Sequence, residues 1–108
     1  MERINQLLNE YAGKIINNLK LAEDNRFSSR VFIWAFMQEY ESEYVDMLNE
    51  ARNSNHESGI FLKLHTHIGN YLEHNAAQLG IDKVEGERET SISPLGHSSS
   101  TQIWIRRS

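Results

Sequence analysis

The sequence predicts an α+β domain in which a three-helix core is followed by a C-terminal β-hairpin. Three observations predict it. Apolar residues recur every three or four positions from Ile4 to Leu79, the spacing of one helix face. After Lys83 the pattern changes to alternation, the spacing of a half-buried strand. Gly80 stands directly after the last helically spaced apolar residue, where a helix would end. At 108 residues the chain is sized for one domain, spanning residues 1–108, with one core.

Helix one is predicted over residues 2–22, with Ile4, Leu8, Tyr11, Ile15, Leu19 and Ala22 along one side. Gly13 weakens it by about 1 kcal/mol relative to alanine. The polar run Glu23-Asp24-Asn25-Arg26 interrupts the period, and Ser28 and Ser29 then offer N-caps. Helix two is predicted over residues 29–52. Its first turns, Val31 to Met37, are apolar all round, and the amphipathic row continues through Tyr40, Tyr44, Leu48 and Ala51. Residues 53–59 read as a loop, because Asn and Ser side chains compete for the backbone there.

Helix three is predicted over residues 58–79, with Phe61, Leu64, Ile68, Leu72 and Leu79 on one face and His65 and Ala76 at its margin. Gly80 should adopt a left-handed conformation, with Ile81 as the hydrophobic contact that accompanies such a cap. The hairpin is predicted over residues 90–107. Its strands run from Thr90 to Leu95 and from Thr101 to Arg107, joined by Gly96 to Ser100. In the second strand Ile103 and Ile105 alternate with Gln102, Trp104 and Arg106. Pro94 cannot donate to a ladder, which places it at an edge or a strand end.

Composition narrows the function classes. Cysteine is absent, which removes disulfides, thiol nucleophiles and thiolate zinc sites. Mean hydropathy is -0.59 and the longest apolar run is Val31 to Met37, far short of the roughly 20 residues of a membrane span. The N-terminus has no basic segment leading into an apolar one, so no signal peptide is expected and a cytoplasmic setting fits. Net charge is -4, and it is unevenly placed. Residues 1–57 hold six Lys/Arg against ten Asp/Glu, whereas residues 58–108 hold five of each. Phosphate backbones repel such a chain at long range, leaving nucleic-acid contact to a local site in the neutral half.

Two charged rows stand out. Glu39, Glu43, Asp46 and Glu50 fall on one face of helix two at i, i+4, i+7 and i+11, spread over about 16 Å. Such a row suits a basic protein partner, and equally serves as a solvated helix face. On helix three Lys63, His67, Asn70 and His74 form a donor-rich row able to meet phosphate or a base edge, joined in the hairpin by Arg106 and Arg107. The five histidines, at 56, 65, 67, 74 and 97, give no metal site. His67 and His74 lie about 10 Å apart along a helix axis, too far for ligand bonds near 2 Å. His65 reads as a hydrogen-bonded core histidine that makes the fold pH-sensitive. No catalytic residues are assigned: Ser98 to Ser100 follow His97 without triad geometry, and no nucleophile elbow or phosphate-cradling glycine loop occurs.

Phe32 and Trp34 project on opposite sides of helix two, so a domain this small is expected to leave apolar area for a homodimer interface. The order of three helices and a hairpin resembles a winged helix at the level of topology. That resemblance implies a groove-reading helix three and a wing tip at Gly96 to Ser100. The leading expectation is a non-enzymatic protein-binding or inhibitory module, of immunity or anti-defence type, with no cofactor and no membrane association. It would present the acidic face to a basic protein. The alternative is a winged-helix DNA-binding regulator using helix three and the hairpin.

Overall fold

The computed structural model describes the backbone of residues 2–54, 59–92 and 98–107, and the side chains of these except 54, 86–92 and 98–100. Its elements run α1 (Glu2–Asn18), β1 (Arg26–Ser28), α2 (Ser29–Glu39), α3 (Glu41–Ser54), α4 (Ile60–His74), α5 (Ala76–Leu79), β2 (Ile81–Ile92) and β3 (Ser98–Arg106). The fold is α+β, with helices mostly N-terminal and an antiparallel sheet in the order β1-β3-β2. The return of β3 to pair with a short strand after the first helix brings the connectivity closer to a winged helix than three helices and a hairpin alone.

Each boundary has a local cause. α1 ends at Asn18 rather than residue 22, because the Arg106 guanidinium donates to the carbonyls of Ile16 (2.7 Å) and Leu19 (2.9 Å) and closes the helix there. A turn follows, with Asn25 in the left-handed region at φ 57°, a conformation that asparagine tolerates better than most residues. Ser28 caps α2, its hydroxyl accepting the Val31 N–H at 3.1 Å.

The single helix expected over residues 29–52 is two helices. They bend at Tyr40 (φ -133°, ψ 56°), which closes α2 by donating its N–H to Phe36 O and opens α3 by accepting the Tyr44 N–H at its own carbonyl, both 2.9 Å. No proline or glycine lies there. The Tyr40 ring is held instead against Tyr11 of α1 and Phe36. The helix expected over residues 58–79 likewise divides at Asn75. Its side-chain amide donates to Tyr71 O at 2.9 Å alongside its own N–H at 3.0 Å, the local competition for backbone acceptors that asparagine favours. Gly80 adopts φ 72° as its position predicts, and its N–H bonds back to Ala76 and Ala77 carbonyls. Residues 55–58, which include His56 and the expected start of helix three, lie outside the described residues.

β2 begins at Ile81, directly after the Gly80 cap and well before Thr90, and its register shifts between Lys83 and Arg88. Pro94, Leu95, Gly96 and His97 lie outside the described residues. Within β3 the expected faces are exchanged. Trp104 is the buried residue and Ile103 and Ile105 are half-buried. The indole N–H donates to the buried Ser29 hydroxyl at 2.9 Å, so Trp104 keys the sheet into the start of α2. Around it, Ile4, Leu8, Ile15, Ile16, Phe32, Phe36, Met47, Leu64, Ile68, Leu72 and Ile81 form one continuous core.

Candidate functional site

Two surfaces combine unusual residue content with a defined shape. The first lies at the Tyr40 bend. The Tyr11 and Tyr40 rings pack with centroids 4.3 Å apart, and the edge of Phe36 meets Tyr11 at 6.3 Å. Carboxylates surround this pair. Partial loss of hydration raises the Tyr11 hydroxyl above its usual range, and the negative charges of Glu10 and Glu43 push it further. Glu39 and Glu41 flank Tyr40 in the chain and are exposed, as is Asp46, while Glu43 and Glu50 are half-buried. Lys14 Nζ sits 5.5 Å from the Tyr11 ring centre, so the aromatic face already accepts a cation.

The bend divides the straight acidic row expected on helix two. Glu39 closes α2, whereas Glu43, Asp46 and Glu50 lie on α3 beside its buried stripe of Tyr44, Met47 and Ala51. Asp46 forms an ion pair with Arg3 of α1 at 3.7 Å, both side chains half exposed, a geometry that neutralises little in water. What the sequence lists as a row is a patch shared by α1, α2 and α3. Its tyrosines and the Glu10 contribution fall outside the row pattern. Only the recurrence of Tyr11 and Tyr40 on apolar faces hinted at their meeting.

The donor row on α4 is less available. His67 Nε2–H donates to Asn5 Oδ1 at 2.7 Å, and the Tyr71 hydroxyl donates to Asn9 Oδ1 at 2.6 Å. These two contacts keep α1 and α4 in a fixed parallel register. Lys63 is half-buried; Asn70 and His74 are exposed. Of the two arginines expected to extend the row, Arg106 is half-buried within the fold and Arg107 is exposed. Arg106 closes α1, and Arg107 pairs with Asp82 at 3.4 Å and reaches the carbonyls of Ala77 and Ile81. The predicted ridge of Lys63, His67, Arg106 and Arg107 is therefore not assembled as a free cationic surface.

The second surface is a groove of about 460 Å³ between α2, α4 and the sheet. Ile33, Trp34, Leu62 and Trp104 supply its apolar walls, and Arg30, Glu73 and Lys83 its charged rim. Lys83 Nζ and Glu73 Oε1 are 3.2 Å apart. Behind it, the Tyr44 hydroxyl lies 2.8 Å from His65 Nε2. Burial raises Tyr44, which keeps its proton and donates; burial and then the charge of Arg30 lower His65, which stays neutral and accepts. Of the two residues expected at an oligomer interface, Phe32 is fully buried in the core, while Trp34 is 57% exposed. Phe32 is drawn inward because it continues the Ser29–Phe36 stripe of α2.

No cluster of three or more His, Asp or Glu able to hold a metal occurs among the described residues. No described helix is long and apolar enough to cross a membrane. No known protein family, curated protein or solved structure matches the chain.

Proposed function

We propose that this protein is a non-enzymatic protein-binding module, inhibitory or immunity-like in role and cytoplasmic in setting, that docks a basic partner at the Tyr40 bend. One observation carries the reading: the closely packed Tyr11–Tyr40 pair sits beside carboxylates contributed by two helices. Guanidinium and ammonium groups are attracted to aromatic faces and to carboxylates alike, so this patch favours Arg- or Lys-rich surfaces on two counts. A predominantly acidic patch also steers such a partner during approach. Glu39, Glu43, Asp46 and Glu50 keep the partner-binding role the sequence suggested, now joined by Glu10, Tyr11, Tyr40 and Glu41.

The test is affinity capture from the native host with Glu43→Lys/Asp46→Lys beside the unaltered protein. The expected result is loss of a retained basic protein, with capture by the unaltered protein weakening as salt rises. The fold should persist, because neither side chain belongs to the buried core, and circular dichroism of the variant checks this. Equal capture by a folded charge-reversed variant would overturn the reading.

The connectivity favours a second reading, a winged-helix DNA-binding regulator acting through α4 and the hairpin. Against it stand the engaged arginines and, on the outward side of α4, exposed Phe61, Leu62 and Glu73. Under this reading the same charge reversal strengthens duplex binding, and Lys63→Ala/Asn70→Ala weakens it. Fold analogy alone does not choose between the two.

A further inference from the structure

We propose that the groove face of α2 and α4 is where two copies of this chain associate. It shares no residue with the acidic patch, so it stands or falls apart from the function proposed above. Trp34 and Leu62 line the groove and are 57% and 67% exposed. The surface continues on both sides. Met37 lies one turn beyond Trp34 on α2 and is 37% exposed. Phe61, 59% exposed, turns its ring toward His65 on the groove wall.

Together these four side chains leave roughly 400 Å² of apolar surface, within the range of a monomer's largest patch, which is often a functional one. A standard interface covers about 800 Å² per partner, of which about 60% is apolar, so the patch supplies most of the roughly 480 Å² of apolar area that one half of a dimer needs. The charges fit a second copy as well. Arg30 and Lys83 share the rim with Glu73, which Lys83 already pairs at 3.2 Å, so the rim is mixed in sign and close to neutral toward a second copy. A rim of one sign would repel its own copy.

The groove floor has room for an incoming side chain. Gly69 lies within α4 and lines the groove, and a Cβ built there would meet nothing within 4 Å. A helical glycine costs about 1 kcal/mol relative to alanine, and here no intramolecular neighbour uses the space it leaves. Trp34 of each copy is the side chain placed to enter the other's groove. Such a dimer covers the outward side of α4 and excludes its use in a DNA groove.

Sedimentation velocity from low to high micromolar concentration tests this. The unaltered protein should double in mass, while Trp34→Glu/Leu62→Glu should stay monomeric with unchanged circular dichroism. Gly69→Arg, which fills the groove from a position open to solvent, should also stay monomeric and provides a second route should the double variant fail to fold. Association should shift tryptophan emission to the blue, because Trp104 is already buried and only Trp34 changes environment. In Trp34→Phe the shift should vanish. A monomer throughout the range, a dimer that persists in the folded Trp34→Glu/Leu62→Glu or Gly69→Arg variants, or a dimer without the emission shift would overturn the proposal.

Discussion

The Tyr40 bend and the α4 groove draw on neighbouring helices but leave opposite kinds of surface. At the bend the aromatic rings are half-buried against one another and carboxylates outnumber the nearby cations Lys14 and Arg3. At the groove the large apolar side chains stand out from the fold and the charges are mixed and partly paired. The first suits a partner of opposite charge; the second suits apolar contact with a surface like itself. The cations tell the same story from the other side. Arg106 and Arg107 are held by main-chain carbonyls and Asp82, whereas Glu39, Glu41 and Asp46 are exposed. A charge count cannot separate the two groups, because engagement is decided by what the fold brings to each side chain.

The sharpest way to separate surface from core is a pair of substitutions two residues apart. Phe32→Ala removes a fully buried ring and should cost about 3–5 kcal/mol in urea unfolding. Trp34→Ala should change monomer stability by no more than about 0.5 kcal/mol, since its ring is mostly exposed. A large loss at Trp34 in the monomer would mean that the groove wall belongs to the core and is not a docking surface.

The next effect concerns the cations. Arg106→Ala strips two charge-assisted hydrogen bonds from the end of α1 and should cost about 1.5–3 kcal/mol in the same assay. Lys63→Ala should cost no more than about 0.5 kcal/mol. An Arg106→Ala protein of unchanged stability but reduced duplex binding would restore Arg106 to the DNA-reading role and weaken the contrast between engaged cations and exposed anions.

Smaller again is the penalty at the end of α5. Gly80 has φ 72°, where a β-branched side chain is strained, so Gly80→Val should cost about 1–2 kcal/mol by thermal or urea unfolding. Apart from Lys83 on β2, both proposed surfaces lie on elements before this cap or on β3. A Gly80→Val protein that lost groove-mediated dimerisation while remaining folded would show that the α5–β2 turn sets the groove's shape.

Much of this architecture was legible because apolar spacing and glycine punctuation report directly on burial and backbone conformation. The body of α1, the Ser28 cap and the Gly80 cap follow from residues acting locally, whereas the end of α1 is set by the distant Arg106. The bends at Tyr40 and Asn75 do not. The apolar row runs through both, at Phe36, Tyr40 and Tyr44 and at Leu72, Ala76 and Leu79, so periodicity carries no mark of either. β1 is three residues long, too short to alternate, and exists because β3 returns to pair with it. The exchanged faces of β3 have the same origin: the core has room for one indole beside Ser29, and that contact sets the register. At the candidate site the carboxylates were visible as residues, while their meeting with Tyr11 depends on how α1 crosses α3.

The last and smallest effect is a pH dependence that ties the groove wall to the fold. His65 is pushed below its ordinary value of 6.5 first by burial and then by Arg30. His67 is lowered too, by burial and then by the positive charges of the N-terminus and Lys63. Well above pH 6.5 both imidazoles are neutral whether the chain is folded or not, and neither contributes a slope. Below it the unfolded chain takes up protons that the folded chain resists, so stability falls with pH until the lowered folded values are reached. Tyr44 adds no competing term there, because its raised hydroxyl stays protonated throughout. Urea unfolding between pH 7.5 and 5 should therefore show declining stability, and His65→Gln should reduce the slope while leaving the His67 share. A slope of the opposite sign, or one that His65→Gln leaves unchanged, would mean that His65 is hydrated in solution and that the groove wall behind Arg30 is open to water.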